Sequence, residues 1–159
     1  FPKPVDRTLW AMTPQTVNAY YSPLSNQITF PAAILQPPYF DPKADPAVNY
    51  GAIGAIIGHE MGHGFDDQGS QFGPTGKFEN GWTPAAKAAF RERTAALAAQ
   101  YDQFEGLPGT KVNGKLTLGE NIGDLEGLVV TPMTSFSTRR VPRFLISIFP
   151  MVMGSNVPG

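Results

Sequence analysis

The chain has 159 residues, of which 42% are hydrophobic and 16% are charged, as is typical of a globular domain and not of a disordered segment. It carries 12 basic and 13 acidic side chains, so no excess of charge favours nucleic acid or an anionic membrane surface as a partner. Cysteine is absent, which excludes disulfide bonds, a thiol nucleophile and a thiolate zinc site.

We expect neither a membrane span nor an export signal in this sequence. The most apolar late stretch, residues 144–153, contains Pro150 and falls short of the about 20 residues that a membrane span needs. The first residues lack the apolar run of a signal peptide. Because the chain does not begin with Met, we expect it to be an incomplete segment of a longer protein.

The first 50 residues are rich in proline, which argues against long helices there. Residues 17–21 and 27–30 have the composition of short strands, and the turn-forming residues 22–26 lie between them. The sequence therefore predicts a small antiparallel β edge at the start of the chain.

A helix is predicted over about residues 47–64, where small and branched apolar side chains dominate. Gly54, Gly58 and Gly62 recur every four residues and so form one ridge on this helix. Each glycine costs roughly 1 kcal/mol relative to alanine inside a helix. Such a ridge predicts the close approach of another backbone.

Two more helices follow a glycine-rich loop over residues 66–82. Thr83 and Pro84 form a helix start, and apolar side chains on one face predict an amphipathic helix over residues 84–105. The residues that form this face are Phe90, Leu97, Tyr101 and Phe104.

A small hairpin is expected over residues 112–116, with a primed turn at Asn113-Gly114. It leads into a helix predicted over about residues 118–130. We find no internal repeat.

His59 and His63 are the two histidines of the chain, and their i, i+4 spacing places both imidazoles on one helical face, where they can share a metal ion. Glu60 lies about 100° further round the helix, a position that suits a general base for a zinc-activated water. The alternative is a pair of hydrogen-bonded structural histidines, and the five-residue pattern alone does not decide between the two interpretations.

Residues 119–124, Gly-Glu-Asn-Ile-Gly-Asp, offer a third ligand. A two-histidine catalytic zinc site needs one further protein ligand, which Glu120 can supply, and Asp124 lies four residues later on the same face, where it can orient a ligating histidine. The run from Thr117 to Glu120 also fits a capping box, in which Glu120 only closes the helix start. Spacing alone leaves both roles of Glu120 open.

Four blocks of the sequence occur in order: Asn-Ala-Tyr-Tyr at residues 18–21, Phe-Pro-Ala-Ala-Ile-Leu-Gln-Pro-Pro at 30–38, His-Glu-Met-Gly-His-Gly-Phe-Asp-Asp-Gln-Gly at 59–69, and the block at 119–124. Together they resemble the neprilysin and endothelin-converting-enzyme family of zinc metallopeptidases, in particular its bacterial oligopeptidase members. The resemblance implies a C-terminal catalytic core of the gluzincin type, mainly α-helical with a small antiparallel β edge (α+β) and incomplete.

The resemblance also implies roles for individual residues. His59, His63 and Glu120 are then the ligands of one zinc ion per chain, which favours the metal role of Glu120 over the capping role. Thr117 is still expected to cap the helix start. Glu60 polarises the attacking water, and Asp124 supports a ligating histidine as part of the catalytic set.

Asn18 and Ala19 match the family's edge strand, which holds a bound peptide by strand addition. The partners implied are small peptides, and no nucleic acid is expected. The family favours an apolar residue on the amino side of the new N-terminus. Its members lie in several compartments, with a slight preference for a periplasmic or secreted location.

The chain also departs from this family. Members are several times longer, with a helical lobe over the site, and carry downstream a histidine and an arginine that bind the transition state and substrate. We therefore expect residues 1–130 to be a partial catalytic domain. Residues 131–159 form an atypical tail. Our hypothesis is that a reading-frame slip produced this tail, and we expect it to be poorly ordered.

Two functions follow from the sequence. The first is a zinc-dependent endopeptidase that hydrolyses internal bonds of small peptides. The second is a truncated, catalytically inactive zinc-binding fragment of such an enzyme. A helical domain without metal is set aside, because it requires four ordered motif blocks to coincide by chance.

Overall fold

A computed structural model describes residues 5–79 and 81–131 of the chain. This part is mainly helical with two small antiparallel sheets, which confirms the predicted fold class. Apart from Thr131, the predicted tail over 131–159 lies outside the described residues. Among the described helices, none combines the length and apolar character that crossing a bilayer requires.

The first sheet is a hairpin close to the start of the chain. Strand β1 (Tyr20–Ser22) pairs antiparallel with β2 (Gln27–Thr29). The predicted strands are confirmed, but β1 begins three residues later than predicted, so Asn18 and Ala19 precede it in the chain. In the observed register Tyr20 is opposite Thr29, the last residue of β2.

The hydrophobic core is small and lies where the residues before β1 meet the first helices. Its centre is three buried side chains, and partly buried aromatic and aliphatic groups pack around it. The buried members are Ala19, Ile34 and Ile53, and the surrounding ones are Phe30, Tyr39, Phe40 and Ile56.

The helix predicted over residues 47–64 is present as three continuous pieces. Helix α1 (Pro46–Asn49) is capped by the Asp45 carboxylate, which accepts from the Ala47 amide at 2.8 Å. A π turn (Tyr50–Gly54) follows, and α2 (Ala55–Gly62) continues from it. The π turn had no signal in the sequence.

Helix α4 (Leu118–Val130) packs directly against α2 through glycines. A Cβ at Gly58 would lie 2.8 Å from the Cα of Gly127, and one at Gly62 would lie 3.2 Å from the Cα of Gly123. The predicted close approach of another backbone is therefore confirmed at these two positions.

At Gly54 the same prediction was wrong. A Cβ there would meet only Asn49 and Tyr50 of the preceding turn, at 3.7 Å or more. Within the described residues, the close approach of α4 is therefore made at Gly58 and Gly62 and does not extend to Gly54.

Helix α3 (Pro84–Tyr101) begins as predicted, because the Thr83 hydroxyl accepts from the Ala86 amide at 3.1 Å. It ends four residues earlier than predicted, so Phe104 lies beyond the helix and contacts Tyr101 ring to ring at 5.5 Å. Its one fully buried side chain is Ala98. The face predicted to pack is therefore only partly covered in the described structure.

The predicted hairpin over 112–116 was wrong. The hairpin lies earlier, between β3 (Glu105–Leu107) and β4 (Thr110–Lys111), with Gly109 in the left-handed region at φ 75°. Gly114 instead packs against the backbone of Ala98, and its amide donates to the Asp102 carboxylate at 2.7 Å. These contacts make Asn113-Gly114 the approach to α4 and not a two-residue β turn.

Candidate metal centre

Three potential metal ligands converge where α2 packs on α4. The Nε2 atom of His59 lies 3.3 Å from Oε2 of Glu120, and the Nε2 atom of His63 lies 3.8 Å from the same oxygen. One ligand atom from each of the three residues lies within 4.8 Å of the other two. The sequence predicted this group, and the structure brings all three residues together.

The second ring nitrogen of His59 faces Asp124. Its Nδ1 atom is 3.0 Å from Oδ1 of Asp124, one helical turn beyond Glu120 on α4. This hydrogen bond raises the pKa of His59, against desolvation and the neighbouring His63, which both lower it. The expected contact between Asp124 and a histidine of the pair is therefore present.

The second ring nitrogen of His63 faces Asp66, a residue to which the sequence analysis gave no role. Nδ1 of His63 is 2.8 Å from Oδ2 of Asp66, and this hydrogen bond raises the pKa of His63. The other oxygen, Oδ1, accepts from the amides of Gln68 at 2.8 Å and Gly69 at 2.6 Å. The signal in the sequence that could have identified Asp66 is its position, three residues after the second histidine.

Asp66 is buried, and desolvation acts to raise the pKa of its carboxyl group. The hydrogen bonds from His63, Gly69 and Gln68 outweigh that effect, so the pKa lies below its ordinary value. Asp66 is therefore held as a carboxylate that can accept the Nδ1 proton of His63.

These contacts fix the direction of both imidazoles. When each Nδ1 donates to its carboxylate, each Nε2 carries a lone pair towards Glu120. Zinc ligands at about 2.0–2.2 Å in a tetrahedral arrangement lie about 3.3–3.6 Å apart, close to the observed 3.3 and 3.8 Å. Nitrogen and carboxylate donors at this spacing fit a zinc ion.

Glu60 is buried beside the two histidines, with only 5% of its surface exposed. Desolvation raises the pKa of its carboxyl group, whereas the histidines lower it and Glu120 raises it further. It lines the same cleft as the three potential ligands but is not one of them. This position suits a group that exchanges a proton with a molecule in the cleft.

The cleft above the histidines has a volume of about 360 Å³. Asn18 and Ala19 line it, as the resemblance implied, although both lie just before β1. Tyr21 and Gln68 also line it, and the sequence analysis had given neither of them a role. Periodicity carries no signal for such residues, because a turn brings Gln68 to the cleft and a strand of only three residues brings Tyr21 there.

The start of α4 is not capped as predicted. The Thr117 hydroxyl donates to the Asn113 carbonyl at 3.2 Å and accepts from the Asn121 side chain at 2.9 Å, so it makes no capping hydrogen bond. A Cβ at Gly119 would lie 3.1 Å from Oδ2 of Asp66. The Asp66 carboxylate thus lies against the first turn of α4, and Glu120 is directed to the histidines.

The profile of peptidase family M13 matches residues 18–142. Neprilysin-3 of Drosophila melanogaster is 48% identical over 126 residues, which cover 79% of this chain and 16% of that protein. An endothelin-converting enzyme homologue of Locusta migratoria is 48% identical over 126 residues, or 79% of this chain and 17% of its own length.

Among solved structures, the zinc metalloprotease Zmp1 of Mycobacterium tuberculosis in complex with an inhibitor matches with a TM-score of 0.78 and 49% identity. The match covers 88% of this chain and 23% of Zmp1. The chain thus spans less than a quarter of the length of each of these proteins.

Proposed function

Because this chain belongs to peptidase family M13, we propose that it binds one zinc ion through His59, His63 and Glu120 and forms part of an endopeptidase site for small peptides. The observation that carries the proposal is the convergence of two imidazole nitrogens and one carboxylate oxygen within 4.8 Å. The donor set supports zinc, which accepts nitrogen and carboxylate ligands, over calcium or magnesium, which prefer oxygen.

When bound, zinc would lower the pKa of a water molecule and polarise a peptide carbonyl. Glu60 then accepts the proton of the attacking water and passes it to the amine nitrogen of the leaving fragment. Its burial beside the histidines supports this role. Asp66 and Asp124 keep the two imidazoles oriented through their Nδ1 atoms.

Asn18 and Ala19 are proposed to hold the peptide backbone by strand addition. Within the described sheet, β1 pairs with β2 alone, so its other edge has no strand partner there. Both residues line the cleft together with the histidines. A peptide extended along this edge would place a backbone carbonyl beside Glu60.

A second candidate function applies to the 159-residue chain on its own. In this case the chain would be a zinc-binding fragment without peptidase activity. Both histidines of the chain belong to the proposed zinc site, so none remains to stabilise a transition state. The Glu120 side chain is 71% exposed, and the described residues provide little exclusion of water. Loss of one transition-state donor typically lowers kcat by about 100-fold to 1,000-fold.

Zinc content measured by elemental analysis at neutral pH tests the metal site. We expect one tightly held zinc in the parent chain and weaker retention in Glu120→Gln. Absence of zinc from the folded parent would contradict both candidates.

Cleavage of an internally quenched peptide then separates the candidates. Turnover by the parent that is lost in Glu60→Gln, with zinc retained, supports the endopeptidase. Bound zinc without turnover in either protein supports the inactive fragment.

A further inference from the structure

The turn between β1 and β2 is fixed to the rest of the protein through the side chain of Asn26. The hydroxyl of Tyr21 donates to Oδ1 of Asn26 at 3.0 Å. The Nδ2 group of Asn26 in turn donates to the carbonyl of Pro74 at 3.2 Å. One amide therefore connects a cleft-lining tyrosine with the loop that follows α2.

The backbone of Asn26 is unusual as well. Its φ of 49° lies in the left-handed region, and no other non-glycine residue in the described ranges has a positive φ. Glycine adopts this conformation at lower cost than asparagine. Glycine, however, has no side-chain amide and could make neither hydrogen bond. The backbone conformation therefore does not require asparagine at this position, whereas the two hydrogen bonds do.

The loop that receives Asn26 is itself tightly docked. Gly76 has a φ of 76° and lies so close to the backbone carbonyl of Leu24 that a Cβ would overlap with it. The amide of Gly76 donates to the Gly73 carbonyl at 2.9 Å, which closes the loop. The β1–β2 turn and this loop thus meet at two places, the Gly76 contact and the Asn26 amide.

At its other end, the same connection reaches the metal centre. Tyr21 lines the cleft, and its ring lies 3.5 Å from the position of a Cβ on Gly64, the residue that follows His63. The Tyr21 side chain therefore lies between β1 and the residues that follow α2, and its hydroxyl donates to Asn26.

We propose that Asn26 is a positioning residue for peptide binding, which fixes the edge of β1 that lacks a strand partner in the described sheet relative to His63 through its hydrogen bonds with Tyr21 and Pro74. Asn26 touches neither peptide nor metal and acts through Tyr21. The peptide-binding part of this inference rests on the proposed function, whereas the anchoring of β1 does not.

The test uses variants of the full chain that remove one feature each. Asn26→Gly keeps the backbone conformation and removes the amide; Asn26→Asp keeps the acceptor for Tyr21; Tyr21→Phe removes only the hydroxyl. Tyr39→Phe, at the core cluster, is the matched loss of a hydroxyl elsewhere. Zinc affinity is measured by chelator competition, and binding of a blocked apolar pentapeptide by NMR titration in excess zinc.

We expect Asn26→Gly and Tyr21→Phe to weaken pentapeptide binding about threefold to tenfold, the loss of one or two hydrogen bonds. Zinc affinity stays unchanged, Asn26→Asp recovers part of the loss, and Tyr39→Phe behaves like the parent. Unchanged pentapeptide affinity in Asn26→Gly, an equal fall in zinc and pentapeptide affinity, or a parent that does not bind the pentapeptide would overturn the proposal.

Amide hydrogen exchange on the metal-free proteins separates this inference from the proposed function. Faster exchange of the β1 amides in Asn26→Gly, but not in Tyr39→Phe, supports the anchor even if the parent fails to bind zinc. Equal exchange in the parent and Asn26→Gly would overturn the anchor even if zinc is bound.

Discussion

The two histidines of the metal centre are oriented by carboxylates of opposite character. Asp66 lies three residues after His63, is 6% exposed and also accepts from two backbone amides. Asp124 lies 65 residues from His59, on another helix, and its side chain is 70% exposed. Half of the site is thus built by local chain geometry, and the other half depends on the packing of α4 against α2.

The difference has an electrostatic side. A buried carboxylate loses its hydration and must recover it in hydrogen bonds, as Asp66 does with three partners. An exposed carboxylate keeps most of its hydration, so Asp124 contributes a weaker and more strongly screened interaction. Removing the local support should therefore affect both folding and metal binding, and removing the distant one should affect metal binding alone.

Asp66→Ala is expected to have the largest effect. It leaves two backbone amides without their acceptor and frees the ring of His63, so unfolding free energy should fall by about 2–4 kcal/mol. Zinc affinity should fall by about 100-fold. Urea denaturation in the presence of EDTA and chelator competition measure the two quantities.

Asp67→Asn is the matched control for this variant, because it alters the neighbouring carboxylate, which contacts neither histidine. A loss of similar size in Asp67→Asn would show that general charge, and not orientation of His63, explains the result.

Gly58→Ala should have an intermediate effect, directed at the distant support. A Cβ 2.8 Å from the Cα of Gly127 must push α4 away, because backbone cannot yield as a side chain can. We expect a loss of about 1–3 kcal/mol in unfolding free energy and about a tenfold loss of zinc affinity, since Glu120 and Asp124 move with α4.

Gly54→Ala provides the comparison within the same helix. It meets no close neighbour and should stabilise the protein by up to about 1 kcal/mol through helix propensity, with zinc affinity unchanged. Thermal denaturation measures the stability of both variants. Equal destabilisation by Gly58→Ala and Gly54→Ala would contradict the α2–α4 contact.

Asp124→Ala should have the smallest effect on folding, at most about 0.5 kcal/mol, with about a tenfold loss of zinc affinity. Glu126→Gln, on the same helix and exposed, controls for the loss of a negative charge. Isothermal titration with zinc distinguishes the two variants, and an unchanged zinc affinity in Asp124→Ala would remove Asp124 from the site.

Much of this arrangement could be predicted from local signals. These signals each predict a helix or one face of a helix. They are the spacing of His59 and His63, the proline at the start of α3, and the glycines at positions 58 and 62. Helix periodicity placed Glu120 and Asp124 on one side of α4. These predictions succeeded because each depends on backbone geometry that a few consecutive residues determine.

The features that were missed depend on partners distant in the chain. Asn113-Gly114 has the composition of a β turn, but the Asp102 carboxylate and the backbone of Ala98 fix it as the approach to α4. Thr117 has the composition of a helix cap, but its hydroxyl is used by Asn113 and Asn121. In both cases a tertiary contact overrides a local preference.

The separation of the two halves of the site has a consequence for the unfolded chain. A metal held by both α2 and α4 would join segments about as far apart as His59 and Asp124, which are 65 residues apart, and would act as a removable cross-link. In the unfolded chain the ligands lie apart, and bringing together the ends of a loop of that size costs about 4 kcal/mol in chain entropy. The metal therefore binds the folded chain and adds its binding free energy to folding. Because the hydrophobic core of the described residues is small, metal binding would contribute to folding as well as to the proposed chemistry.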